Sequence, residues 1–165
     1  MIRIATELMR EIRAHGAAAY PDECCGALLG ADGPPATEDS SGRVVHGLCP
    51  IDNRWNTASL RGEEAGGMTA RRRFLITPED YRRCESAAGE RGLELIGFYH
   101  SHPDHPARPS EYDREHAFPW FSYVIVSVER GNATTATSWL LAEDLSRFDE
   151  EPIIETDGPA PIASA

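Results

Sequence analysis

The sequence predicts an α+β domain with a mixed, largely antiparallel sheet flanked by helices. Three observations lead there. Short apolar runs bounded by Gly, Pro and polar turns recur along the chain. Segments with helical spacing fall between them. The last two runs, 121–128 and 134–141, flank the turn residues Gly131-Asn132, as in a closing hairpin.

Thr6 to about Tyr20 reads as a helix with Thr6 as N-cap. Leu8, Met9, Ile12 and Ala19 lie on one face, and Pro21 ends it. Cys24–Leu29 is a short apolar run bounded by Pro21 and Gly30, hence a buried strand. Residues 31–41 are a loop by composition, and Arg43–Cys49 is a second strand. Residues 52–71 show no period. So long a loop within a compact domain is often functional, and Trp55 and Met68 are its candidate substrate-binding residues. Arg72–Ile76 reads as a strand, with the arginines of 71–73 on a solvated edge.

A helix opens at Thr77, with Pro78 in its first position and acids in its first turn. Tyr81, Cys84, Ala87 and Ala88 form its inner face, and Gly89 or Gly92 closes it. Leu93–Ser101 is a strand, 103–109 a loop holding three prolines, and Ser110 begins a helix reaching about His116. The boundaries are a domain over 1–145 and an acidic, mobile tail over 146–165.

The chain has 165 residues, enough for one domain with a real core. Its net charge of −11 disfavours nucleic acid and anionic membranes as partners. There is no run of about 20 apolar residues and no leader-like start, so a cytoplasmic location is expected. All 16 basic residues are arginine. Cys24, Cys25, Cys49 and Cys84 show no CxxC spacing and read as buried reduced thiols.

The chemistry concentrates in 99–113, YHSHPDHPARPSEYD. His100 and His102 are two apart at a strand end, so both imidazoles leave one face. The proline-rich loop turns the chain back, and Asp113 falls in the first turn of the next helix. Two imidazoles and one carboxylate leave a fourth position for water, the ligand count of a catalytic zinc site. Taken alone, Ser110-x-x-Asp113 is also an ordinary N-cap with an acid three residues on. His105, Asp104 and Glu111 read as exposed, Tyr99 and Phe98 as core. Ser101, on the opposite strand face, is not a nucleophile candidate.

The run His100-Ser101-His102-Pro103, with seven residues to Ser110 and two more to Asp113, resembles the metal motif of the JAMM (JAB1/MPN/Mov34) metalloprotease family. Glu23, just before the Cys24–Leu29 run, matches that family's upstream glutamate. The resemblance spans about Ile4 to Leu141 and is to the bacterial single-domain branch. It implies the MPN/JAB1, cytidine-deaminase-like architecture. It implies that His100, His102 and Asp113 bind Zn2+, that Glu23 holds the attacking water as general base, and that Ser110 bonds the oxyanion. It implies hydrolysis of the amide bond after the C-terminal Gly-Gly of a ubiquitin-like protein, with a sulfur carrier as the branch's substrate. Such a tail suits capture as an added strand at a sheet edge. Three alternatives stay open: an isopeptidase acting on lysine conjugates, a non-catalytic MPN-type binding scaffold, and a purely structural zinc site. The chain is compatible with a homodimer.

Overall fold

The run of small and apolar residues after Glu23 becomes the middle of the sheet, because only a strand covered on both faces buries every residue of such a run. In the computed structural model, residues 1–32, 42–55 and 73–158 are described. The elements are β1 (Ile2–Ala5), α1 (Thr6–Ala19), β2 (Cys25–Asp32), β3 (Arg43–Ile51), α2 (Pro78–Gly89), β4 (Glu94–Pro103), α3 (Glu111–His116), β5 (Ser122–Glu129), β6 (Asn132–Leu141), β7 (Phe148–Glu151) and β8 (Ile153–Thr156).

The strands form one sheet in the order β7-β6-β5-β4-β2-β3-β1-β8. Pairs β2/β3, β2/β4, β5/β6 and β6/β7 are antiparallel. Pairs β1/β3, β1/β8 and β4/β5 are parallel. The expected mixed, largely antiparallel sheet is therefore what forms.

Each face has its own core. Met9 and Ile12 of α1 pack with Ile4, Leu28, Tyr99 and Val126 on one face. Cys84 and Ala88 of α2 pack with Ala27, Leu29, Phe98 and Phe121 on the other. Burying a Leu or Ile side chain contributes roughly 1.5–3 kcal/mol, so the two layers fix the strand faces firmly. Gly26 serves this packing, since a Cβ there would lie 2.4 Å from the Tyr99 ring.

Several expectations are corrected. Residues 148–156 are two strands of the sheet rather than a mobile tail. β7 lies at one edge and β8 at the other, with only Pro152 between them, so this segment links the two edges. Buried Glu151 holds it, pairing with the Met1 ammonium at 3.4 Å and accepting from Ser138 Oγ at 2.8 Å. The boundary at 145/146 is thus not a fold boundary; residues 159–165 lie outside those described. Thr6 is the first helical residue rather than the cap: Ala5 holds that position, without a side-chain cap bond. Arg73–Ile76 is not a strand. Phe74 and Ile76 instead pack against the α2-side core. Cys49 and Cys84 are disulfide-bonded, not reduced, while Cys24 and Cys25 are free and buried.

Candidate metal centre

β4 delivers the two histidines. Their spacing of two on a strand sends both rings to the α2 face, while Tyr99 and Ser101 turn to the α1 face. Cys25 pairs with His100, and the contact continues past the ladder: Ser101 N donates to Cys24 O at 3.2 Å, and Cys24 N donates to Ser101 Oγ at 2.9 Å. Extending this register sets Glu23 opposite His102. Ser101, dismissed as a nucleophile, thus anchors the chain beside Glu23.

The loop after β4 is held by its own polar contacts. Asp104, in a left-handed conformation, donates its N–H to Val128 O at 2.8 Å. Its carboxylate accepts from Arg130 N and from the Tyr20 hydroxyl, both at 2.9 Å. Ser127 Oγ donates to His105 O at 2.7 Å, and Thr137 Oγ1 donates to Ala107 O. The loop then reaches Ser110, the N-cap of α3. Ser110 Oγ accepts from Asp113 N at 3.2 Å, and Asp113 Oδ2 accepts from Ser110 N and Oγ, both at 2.6 Å.

These supports bring the three predicted ligands together. His100 Nε2 and His102 Nε2 are 3.1 Å apart. Asp113 Oδ1 is 3.4 Å from the first and Asp113 Oδ2 is 3.7 Å from the second. All three residues are buried. His102 Nδ1 lies 2.9 Å from Pro106 O, a carbonyl that can only accept, so Nδ1 carries a proton, and in the neutral ring Nε2 is left as the metal donor. His100 Nε2, His102 Nε2 and the Asp113 carboxylate converge on one point. The set fits a divalent ion with nitrogen and oxygen donors, zinc among them.

Burial and the neighbouring charges set the protonation states. Burial pushes the His100 imidazole down to about 4, against the pull of Asp113. Burial also works to lower His102, but the Asp113 hydrogen bond, Glu23 and Pro106 O outweigh it and the net shift is upward. Burial alone would raise Asp113; His100, His102 and the Ser110 bonds hold it well below the ordinary carboxylate range. Glu23 is only 6% exposed, and burial pushes its carboxyl up to about 8. His102 opposes this rise, Asp113 adds to it and Arg73 opposes it.

Glu23, His102 and Ser110 line one cleft of about 300 Å³, together with Arg73, His105 and Arg108. Arg73 therefore belongs to the site and not to a solvated strand edge. Its guanidinium lies 4.3 Å from the centroid of Tyr112, beside Asp113. A second cavity, about 640 Å³, reaches His100 and Asp113 from another side. Its aromatic lining includes Phe74, Tyr81, Phe98, Phe118 and Trp120. The aromatic-rich run 118–123 was the available signal for it. His116 lines this cavity too, with Nδ1 donating to Tyr112 O at 2.8 Å.

Trp55 stands edge-on to Tyr112 at 5.9 Å, so it borders the α3 wall of the site. Met68 lies outside the described residues. β4 sits between β2 and β5, so among the described residues the site has no open sheet edge beside it. A substrate tail therefore cannot add as a strand against β4 itself.

Fold and site together define a JAB/MPN-type domain with a buried His-His-Asp cluster. The model of the prokaryotic homologues of the JAB domain matches residues 5–142, and the chain belongs to that family. It is 31% identical to a desampylase of Haloferax volcanii over 119 residues, covering 72% of this chain and 70% of that protein. Among solved structures it resembles a protein from Salinibacter ruber, with 42% identity, TM-score 0.69, and 97% and 95% of the two chains covered. A protein from Desulfitobacterium hafniense matches with 30% identity, TM-score 0.73, and 96% and 94% covered. A JAB1/MPN domain protein from Archaeoglobus fulgidus shares the fold at 18% identity, TM-score 0.50, with 94% and 98% covered. No helix among the described residues is long and apolar enough to cross a membrane.

Proposed function

We propose that this chain is a zinc-dependent cytoplasmic peptidase that cuts the amide bond after the C-terminal Gly-Gly of a ubiquitin-like protein, with a sulfur carrier as its substrate. One observation carries the reading: Glu23, His102 and Ser110 line the same cleft, and His102 belongs to the His-His-Asp cluster. The similarity to a desampylase supports a ubiquitin-like substrate.

His100, His102 and Asp113 would hold the zinc. When bound, zinc polarises the scissile carbonyl and brings the pKa of water down to about 7. Glu23 takes the proton of the attacking water and passes it to the leaving amine. Glu23 lines the cleft beside His102, where that proton would move. Ser110 Oγ donates to Asp113 Oδ2 in this structure, and to serve the oxyanion it would turn that proton away from the carboxylate as charge develops. The Ser110 N–H stays on Asp113 Oδ2 and keeps the carboxylate in place. Glycine in the substrate tail lets its backbone approach the buried cluster closely.

The test is intact-mass spectrometry of a ubiquitin-fold sulfur carrier bearing residues beyond Gly-Gly, incubated with the protein with and without a zinc chelator. A chelator-sensitive cut after Gly-Gly, lost in Glu23→Gln at full zinc content, is the expected result. Activity retained in Glu23→Gln would remove the assigned base. No cut by zinc-loaded protein would remove the carrier as substrate. A lysine-linked conjugate run in parallel separates the isopeptidase reading, which the same relative also supports. A chain that binds no zinc would return the scaffold reading.

A further inference from the structure

Glu23 sits just ahead of β2, where no regular ladder bond fixes it. Its backbone carbonyl is nevertheless held. Asn53 Nδ2 donates to Glu23 O at 2.9 Å and to Arg73 O at 2.9 Å. Asn53 Oδ1 accepts from Trp55 N at 3.1 Å. One partly buried amide thus uses both of its N–H donors and its acceptor on three backbone groups, two of them 30 and 20 residues away.

The three partners meet the site at one place. The Arg73 guanidinium covers the Tyr112 ring at 4.3 Å, and the Trp55 ring stands edge-on to that same ring at 5.9 Å. Tyr112 is followed by Asp113. Glu23 forms one wall of the cleft that holds His102 and Ser110, and Arg73 is in that cleft too. Ser101 fixes Cys24 from the β4 side. Asn53 fixes the adjoining residue from the other side and ties it to the α3 wall.

We infer that Asn53 is a positioning residue for hydrolysis, setting the place of the Glu23 carboxylate relative to His102 and Asp113. The inference rests on Glu23 being the base. A base must lie within hydrogen-bond reach of the proton it takes. A misplacement of about 1 Å can cost on the order of 100-fold in rate. With Asn53 replaced, the Glu23 carbonyl loses its side-chain partner and the two walls of the cleft lose their common tie. The metal donors stand on β4 and α3 and keep their own supports.

The test compares Asn53→Asp, Asn53→Ala and Glu23→Gln with the parent chain. Asn53→Asp keeps the side-chain shape and the Trp55 acceptor but removes both donors. Zinc per chain, melting temperature, kcat and KM are measured, with a ubiquitin-fold carrier bearing residues beyond Gly-Gly as substrate. The expected result is full zinc content, KM within about threefold of the parent, and kcat per zinc-loaded folded chain reduced about 10- to 100-fold in both Asn53 variants. A residue with only a structural role would lower the melting temperature and leave kcat per zinc-loaded chain within about twofold. That outcome, with Glu23→Gln inactive, overturns the inference and leaves the functional reading intact. Where the parent cuts nothing, or Glu23→Gln stays active, the functional reading fails first and takes the inference with it. Should Asn53→Ala not fold, Asn53→Asp alone decides.

Discussion

Two helices of this fold begin in the same way and differ in what their first acid faces. α2 opens with Thr77 and Asp80, α3 with Ser110 and Asp113, and both form reciprocal capping boxes. Asp80 Oδ2 accepts from Thr77 N at 3.2 Å and from Thr77 Oγ1 at 2.6 Å. Asp113 Oδ2 accepts the same two bonds from Ser110, both at 2.6 Å. The difference lies on the other oxygen. Asp80 Oδ1 is 3.9 Å from the half-exposed Arg83 on its own helix, a weak local pair. Asp113 Oδ1 is 3.4 Å from the buried His100, delivered by a distant strand. α2 runs 12 residues and buries Cys84 and Ala88, so its cap serves the helix. α3 has only six residues, too few to stand alone, so its cap chiefly places Asp113. A capping motif thus shows where a helix starts; what crosses the fold to meet it decides whether it also becomes a site.

The sharpest break between the boxes comes from removing each acid. Asp113→Ala should abolish zinc binding and activity together, because the cluster loses its only carboxylate. Asp80→Ala removes the same reciprocal bond and should keep full zinc content and turnover, with a stability loss of about 1 kcal/mol. Metal analysis of the purified variants, with thermal melts, checks both. Loss of zinc in Asp80→Ala would mean that α2 also supports the site.

The next largest effect concerns the acid that faces the second box and has no counterpart at the first. In the zinc-free protein Glu23 has a pKa near 8, above its ordinary value of 4.5, through burial first. Between those values the folded state holds a proton that the unfolded state has released. Stability therefore falls as pH rises through that window. Glutamine cannot ionise. Zinc-free Glu23→Gln should be more stable than the zinc-free parent at pH 8, by an amount on the order of a few kcal/mol, and the two should converge near pH 4. Thermal melts of the chelated proteins across pH check this. Parallel curves for the two proteins would show that Glu23 is not held protonated by its surroundings.

Replacing the two cap hydroxyls gives a smaller and more selective contrast. Thr77→Ala and Ser110→Ala should each cost about 1 kcal/mol of stability. Only Ser110→Ala should also lower kcat, by about 100-fold, as expected for a lost oxyanion donor. Equal kcat values in the two variants, per zinc-loaded chain, would reduce Ser110 to a helix cap.

What the sequence made legible follows the same division between local and distant causes. The capping boxes, the strand carrying His100 and His102, and the hairpin around Gly131 each depend on a few neighbouring residues, and all were readable. The spacing of His100, His102 and Asp113 was readable because one strand, one loop and one turn of helix bring them together. Residues 148–156 were not. Their acids suggest a solvated tail, but pairing with β6 and β1 and the buried contacts of Glu151 place them in the sheet. Pairing of Cys49 with Cys84 depends on α2 packing over β3, which no spacing reveals. Asn53 stood in a segment without period, and its importance appears only once Glu23 and Arg73 are brought beside it.

Thr6 gives the smallest effect and the cleanest control on the capping comparison. It is followed by a helix, as Thr77 and Ser110 are, and by sequence alone it is an equal candidate for a cap. In the fold it is the first residue of α1, already helical, because β1 runs straight into the helix and Ala5 takes the turn. Its hydroxyl donates to Thr156 O at 3.3 Å, in the exposed contact between α1 and β8. No first-turn N–H of α1 depends on it. Thr6→Ala should therefore shift stability by no more than about 0.5 kcal/mol, against about 1 kcal/mol for Thr77→Ala. Denaturant titration of the two variants side by side measures the difference. A cost for Thr6→Ala equal to that of Thr77→Ala would mean that the bond to β8 contributes as much as a cap, and that the segment 148–156 is held from α1 as well as from Glu151.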